Sequence, residues 1–244
     1  MRLLLVNGNR TQSITEVALA EARRAASADT EVTGATAAFG ANIVSTVADN
    51  TIAAHAVLDT LAHHRAGVDA AILAISLDSG LFAARQLLPF PVVGMTEAGL
   101  HTACLLGERF GMITFGRQTA PLYAELVTRY GMERRLAGQR TLDTASLTAY
   151  LDAQAMDPLI VAAANALVRE SGAQAILICG AALAGAAQRL QAAVPAPLVD
   201  GIACAVRMAE ALVRAGYPRC VPVHPAAPDM HGISPSLAAL YRDI

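Results

Sequence analysis

Short apolar runs alternate with longer amphipathic segments along the whole chain. Leu3 to Val6, Ala70 to Ile75, Val92 to Val93, Gly111 to Phe115, Ala175 to Cys179 and Leu198 to Val199 are continuous hydrophobic stretches closed by Gly, Ser, Asp or Asn. Continuous rather than alternating runs suit strands of a parallel sheet covered on both faces. Between them, Ile14 to Ala26, Thr51 to His64, Phe82 to Leu88, Ala120 to Tyr130, Pro158 to Ser171, Ala186 to Ala193 and Ala203 to Ala215 carry Ala, Leu and Arg at helical spacing. Strand and helix in regular alternation predict an α/β fold.

The pattern repeats itself. Ala71 to Arg85 followed by Pro91-Val92-Val93-Gly94 resembles Ala175 to Arg189 followed by Pro197-Leu198-Val199-Asp200 in strand, polar elbow, helix and returning strand. A weaker match joins Leu4 to Thr11 with Met112 to Thr119. Two pseudo-symmetric Rossmann-like lobes follow, each a mostly parallel sheet flanked by helices. Residues 1–100 with 205–244 form the first lobe in this reading and 101–204 the second. Ligands sit beyond the carboxyl ends of parallel strands, so function is expected in the cleft where the elbows of both lobes meet.

Composition narrows the partners. The 244 residues are 55% hydrophobic and 4% aromatic with no Trp, so the core is built from small and branched aliphatic side chains. Mean hydropathy is high at +0.44, yet the longest uncharged apolar run, Ala175 to Ala187, is shorter than the roughly 18 to 20 residues that span a bilayer. Eighteen Lys and Arg against 20 Asp and Glu, with no basic stripe, argue against nucleic acid. The four cysteines, Cys104, Cys179, Cys204 and Cys220, form no CxxC pair, which suits reduced thiols in a cytoplasmic protein. The opening Met1 to Val6 stops being apolar at Asn7 and reads as a buried strand rather than a signal peptide. A small molecule is the expected partner, with no nucleotide cofactor and no PLP.

Several residues at the strand exits can carry chemistry. Ser79-Gly80 and Gly180-Ala181 each open a helix, where free N–H groups favour an anion or a polarised carbonyl. Asn7 and Asn9 can orient a ring amide through donor and acceptor together, with helix capping as the alternative. Ser76, after the Ala70 to Ile75 run, and Arg117, after the Gly111 to Phe115 run, are further candidate contacts. Asp78 follows the Ala70 to Ile75 run and is the first choice for a base or metal ligand, with a helix cap as its structural alternative. Glu97 and His101 share a helix face if that segment is helical. Asp200 is expected to face Asp78 across the cleft. His224, Asp229 and His231, stiffened by prolines, form a candidate ligand set for Mn, Zn or Fe.

These stretches are similar to the aspartate/glutamate/hydantoin racemase superfamily, and within it to the hydantoin and allantoin racemase branch. Val6-Asn7-Gly8-Asn9-Arg10-Thr11 resembles the branch's NPNT element, and Ala38 to Ala41 with Ser45-Thr46 its substrate-side loop. Asp78-Ser79-Gly80-Leu81 resembles its DPGL elbow, and Cys179-Gly180-Ala181-Ala182-Leu183 its GCAGM elbow. Pro91 to Ala98 and Val199-Asp200-Gly201 fit as well. The resemblance implies a homo-oligomer and a two-base reaction, in which a cysteine on one lobe removes a proton and a cysteine on the other returns it. Those cysteines fall on Ile75 and Gly180 here, with Ser76 and Cys179 one residue away.

With both thiols replaced and carboxylates and imidazoles close by, the expectation is a hydantoinase: metal-assisted, ring-opening hydrolysis of a hydantoin-like cyclic ureide or related small amide acid. Asp78, Asp200, His224 and His231 would ligate Mn or Zn, Asp78 or Glu97 would act as base, and Asn7, Asn9, Ser45, Ser76, Ser79, Gly80, Arg117, Gly180 and Ala181 would bind substrate. The alternatives are a racemase or one-cysteine decarboxylase that uses Cys179, and a non-catalytic binder of ureides or amino acids.

Overall fold

The computed structural model describes residues 1–143, 147–217 and 230–242. They build two four-stranded, wholly parallel sheets flanked by helices. The first has the order β2 (Glu31–Thr36), β1 (Arg2–Asn7), β3 (Ala70–Leu73), β4 (Val92–Gly94), with crossovers α1 (Gln12–Ala25), α2 (Val47–His64) and α3 (Leu81–Leu87). From β4 the chain enters α4 (Met95–Leu106) and passes to the second sheet. Its order is β6 (Leu136–Leu142), β5 (Phe110–Phe115), β7 (Ala175–Ile178), β8 (Leu198–Asp200), with α5 (Ala120–Arg129), α6 (Leu147–Leu151), α7 (Ala153–Ser171) and α8 (Ala186–Leu190) between strands. After β8, α9 (Gly201–Ala215) packs on α1, α4 and the first sheet, and α10 (Pro235–Arg242) packs on α2.

The central strands follow from the apolar runs. All four residues of β3 and of β7 are buried, as expected where helices cover both faces. The outer strands β2 and β6 escaped the sequence pattern because neither carries a continuous apolar run. Glu31-Val32-Thr33-Gly34-Ala35-Thr36 buries only Val32 and Ala35, and β6 buries none of its residues fully. α2 starts at Val47 rather than Thr51 because Thr46 and Asp49 form a capping box, with the Asp49 amide donating to Thr46 Oγ1 at 3.1 Å. α7 likewise starts at Ala153, before Pro158, because Asp152 accepts the Gln154 amide at 2.9 Å.

Strand register refines the internal repeat. Leu73 pairs with Val6 and Gly94, and Ile178 pairs with Ile113 and Asp200, so Leu73 and Ile178 are equivalent. The direct matching of Ala71 with Ala175 is therefore one residue out, and Ala70 is the true counterpart of Ala175. On this register Ile75 corresponds to Gly180, and Gly80 to Gly185. The last pair behaves alike: both glycines precede a helix with left-handed φ, +79° and +87°, a conformation that side-chain-bearing residues disfavour.

One apolar cluster joins the sheets. Leu77 beyond β3 and Leu100 of α4 meet Phe110, Met112, Leu177 and Cys179 of the second sheet. Burying each large side chain of this kind contributes about 1.5–3 kcal/mol. The close approach requires Gly99, where a Cβ would lie 2.5 Å from Leu177 Cδ1. No helix among the described residues is long and apolar enough to cross a membrane.

Candidate active site

A cavity of about 320 Å³ opens between the sheets at the carboxyl ends of their strands. The first sheet contributes Asn9 beyond β1, Ser45 from the loop before α2, and Ile75, Ser76 and Leu77 beyond β3. The second contributes Phe115, Thr119 and Tyr123 around the β5–α5 turn, Asp143, Tyr150 on α6, and Ala181 and Ala182 beyond β7.

Two contacts tie the walls together. The Gly180 amide donates to Ser76 Oγ at 2.7 Å, and Ser76 is also a hydrogen-bond partner of the Tyr123 phenol. Burial raises Tyr123 well above the ordinary tyrosine range, so it stays a neutral hydroxyl at physiological pH. Tyr150 packs its ring on Phe115, centroids 5.2 Å apart and planes tilted by 54°. A Cβ built on Gly180 would collide with the Tyr150 hydroxyl, so the phenol fills the side-chain space that Gly180 leaves open. Burial raises this phenol too.

Asn9 reaches the cavity with its orientation fixed. Its Oδ1 accepts the Thr11 amide at 2.9 Å and Asn7 Nδ2 at 3.1 Å, which turns Asn9 Nδ2 away from both. Asn7 is fully buried and serves Asn9, Thr11 and Thr15 rather than the cavity. Ser45 lines the cavity while its amide donates to Asp49.

The carboxylates are engaged elsewhere. Asp78, with φ of +46°, accepts the Glu97 and Thr96 amides at 2.8 and 3.1 Å and the Tyr130 hydroxyl at 2.7 Å. It thus caps α4 from another segment of the chain. Desolvation pushes its carboxyl up to about 7 despite these three hydrogen bonds, and nearby Glu97 adds to the rise. Asp200 caps α9 through the Ile202 and Ala203 amides at 2.9 and 3.1 Å, and also accepts the Gly185 amide at 2.6 Å. Glu97 is held by a two-pronged ion pair with Arg85. None of these three lines the cavity, and Asp78 does not face Asp200 across it.

The remaining sequence candidates are scattered away from the cavity wall. Cys179 is 1% exposed, packs in the inter-sheet cluster, and has its thiol raised by burial. Ser79 and Gly80 lie behind the cavity, where Ser79 donates to Asn50 and Gly80 passes under Ala54. Arg117 is exposed at the rim and pairs with Asp143. His231 is exposed, and His224 and Asp229 lie outside the described residues. Among the described residues no three His, Cys, Asp or Glu side chains come together as a metal site. The oxygens offered by Asp78 and Asp200 already serve helix amides, so the donor set does not fit Mn or Zn.

The sequence reading missed Phe115, Thr119, Tyr123, Asp143 and Tyr150. One signal was available: in a chain with five Phe and five Tyr, three aromatics sit in the second half near its strand exits.

Residues 3–209 match the family model described as Asp/Glu/Hydantoin racemase. The chain is 34% identical to a hydantoin racemase of Rhizobium meliloti, over 89% of this chain and 90% of that one. It is similar in structure to the allantoin racemase of Pseudomonas fluorescens, with a TM-score of 0.87 at 34% identity covering 92% and 98% of the two chains. For the allantoin racemase of Klebsiella pneumoniae the TM-score is 0.90 at 29% identity, covering 97% and 98%. These racemases overturn the expected ring-opening hydrolase and favour an isomerase. The inference failed because it counted nearby carboxylates as free ligands when they are caps. The fold, the duplicated elbows and the match over residues 3–209 place this chain in the Asp/Glu/hydantoin racemase family.

Proposed function

We propose that this protein is an isomerase that inverts the hydrogen-bearing ring carbon of a hydantoin-like cyclic ureide in the cavity between its sheets. The observation that carries the reading is the lining itself. Elbows from both halves meet there, hydroxyl and amide groups converge, and among the described residues no Lys or Arg contributes to the wall. Such a wall suits a neutral ring amide better than a carboxylate anion, which needs a cationic partner. The identity to a protein named hydantoin racemase supports the same substrate class.

Each polar group then has a task. Asn9 Nδ2, pointed away from its own partners, donates to a ring carbonyl. Removing the ring hydrogen next to that carbonyl places negative charge on its oxygen, and a donor already aimed there stabilises the charge without reorganisation. Ser76 holds the two elbows in register through Gly180 while presenting its hydroxyl to the ring. Ala181 supplies a small surface on the opposite wall. Ile14, Ile43 and Val44 exclude water from the ring substituent.

A second reading, a ureide binder without turnover, is favoured by one observation: no cysteine lines the cavity among the described residues. Incubation of the purified protein with single-enantiomer hydantoins, followed by polarimetry and chromatography, separates the two. Loss of optical rotation with the ring intact supports the isomerase. A ligand-induced rise in Tm without any change in rotation supports the binder, and ring opening defeats both.

A further inference from the structure

Ile75 and Gly180 hold equivalent positions in the two halves, each two residues beyond the central strand. The walls they build are chemically opposite. Ile75 presents hydrocarbon to the cavity, packed against Val57 and Gly8. At Gly180 the missing side chain is replaced by the Tyr150 hydroxyl, brought in from α6.

That hydroxyl makes no hydrogen bond among the described residues, whereas Tyr123, the other phenol of the cavity, is engaged with Ser76 and Tyr130 with Asp78. Tyr150 is partly buried, and its hydroxyl is enclosed on the Gly180 side. Here the open direction is the cavity, where a ligand supplies what the protein does not. Packing on Phe115 fixes the ring, so the oxygen is positioned rather than swinging.

We propose that Tyr150 is the proton-exchanging residue of this cavity and that the Ile75 wall has no counterpart, so that the reaction is driven from one face. The proposal rests on the isomerase reading and gives it a mechanism without thiols. The Tyr150 phenolate takes the hydrogen of the ring carbon as a proton: the C–H bond breaks, the O–H bond forms, and the electron pair passes to the neighbouring carbonyl. Return of the proton from Tyr150 restores the starting enantiomer. Delivery from water on the Ile75 side gives the other enantiomer, and Tyr150 then loses its proton to solvent. A phenol raised by burial is ionised only in a small fraction at neutral pH, but that fraction is a strong base.

The test follows the ring hydrogen of both enantiomers of 5-benzylhydantoin in D2O by NMR, with inversion followed by chiral chromatography. Wild type is expected to deuterate one enantiomer faster than it inverts it. Tyr150→Phe, which keeps the ring on Phe115, is expected to lower exchange by at least about 100-fold, with the calorimetric Kd and the Tm close to wild type. Below the phenol's ionisation the wild-type exchange rate should climb about tenfold per pH unit from pH 6 to 9, a measurement that needs no variant. Full exchange in Tyr150→Phe, equal deuteration of both enantiomers in step with inversion, or a plateau below pH 8 overturns the role of Tyr150 and leaves the isomerase standing. Absence of both exchange and inversion in wild type overturns the isomerase reading and this proposal with it.

Discussion

The Gly180 amide donates to the Ser76 hydroxyl at 2.7 Å, so one hydrogen bond joins the elbow after β3 to the elbow after β7. Both ends belong to the cavity region, and Tyr123 shares the same hydroxyl. Ser76→Ala leaves a backbone donor and a buried phenol without their partner, a loss of about 1–3 kcal/mol. Urea unfolding at pH 7 should show a lower midpoint with an unchanged slope. An unchanged midpoint would mean that this bond adds no net stability to the joined halves.

Cys179 sits one residue before Gly180 yet faces the other way, into the cluster with Leu100, Met112 and Leu177. Its thiol is raised by burial and, to a lesser degree, by the charge of Asp78. A neutral, enclosed thiol is neither a base nor a ready nucleophile. Cys179→Ala is therefore expected to leave turnover within about twofold while costing on the order of 1–2 kcal/mol for the small cavity it creates. Loss of turnover at retained stability would return the thiol to the mechanism.

Much of this architecture is readable before any coordinates, and the parts that are not have physical reasons. β1, β3, β5 and β7 are buried on both faces, so they announce themselves as unbroken apolar runs. β2 and β6 satisfy only one neighbour each and keep polar residues such as Glu31 and Arg140. Asp200 caps the helix that it immediately precedes, a local relation that sequence conveys. Asp78 caps a helix whose amides lie 18 and 19 residues further along. Nothing in the spacing of Asp78 distinguishes that role from a metal ligand or a base, and the hydrolase inference failed on this point. Tyr150 was illegible for a related reason: it sits on the five-residue helix α6, too short for periodicity, and reaches its place only through the void at Gly180.

Gly94 and Asp78 form a coupled pair. A Cβ at Gly94 would run into the Asp78 carboxyl group. That carboxyl cannot swing aside, because the Thr96 and Glu97 amides and the Tyr130 hydroxyl all hold it. Gly94→Ala should cost about 1–3 kcal/mol. In an Asp78→Gly background, which also suits the left-handed φ at that position, the same change should cost at least about 1 kcal/mol less. The double-mutant cycle by chemical denaturation tests this, and additive effects would show that the crowding at Gly94 lies elsewhere.

The raised carboxyl of Asp78 makes folding stability depend on pH in a direction opposite to that of most carboxylates. Its folded value of about 7 lies above the ordinary 3.8, so between those limits the folded state keeps a proton that the unfolded chain has released. Stability from this group is complete below pH 4 and is lost as pH rises towards 7, at about 1.4 kcal/mol per pH unit within the window. Asp78→Asn keeps one oxygen that can accept from the α4 amides, exchanges the other for an NH2 donor, and tolerates φ of +46°, but it does not titrate. Unfolding free energies measured at pH 5 and pH 8 should therefore fall more steeply with pH in wild type than in Asp78→Asn. Parallel profiles for the two proteins would show that burial does not hold the proton on Asp78, and that the carboxylate caps α4 in its charged form throughout.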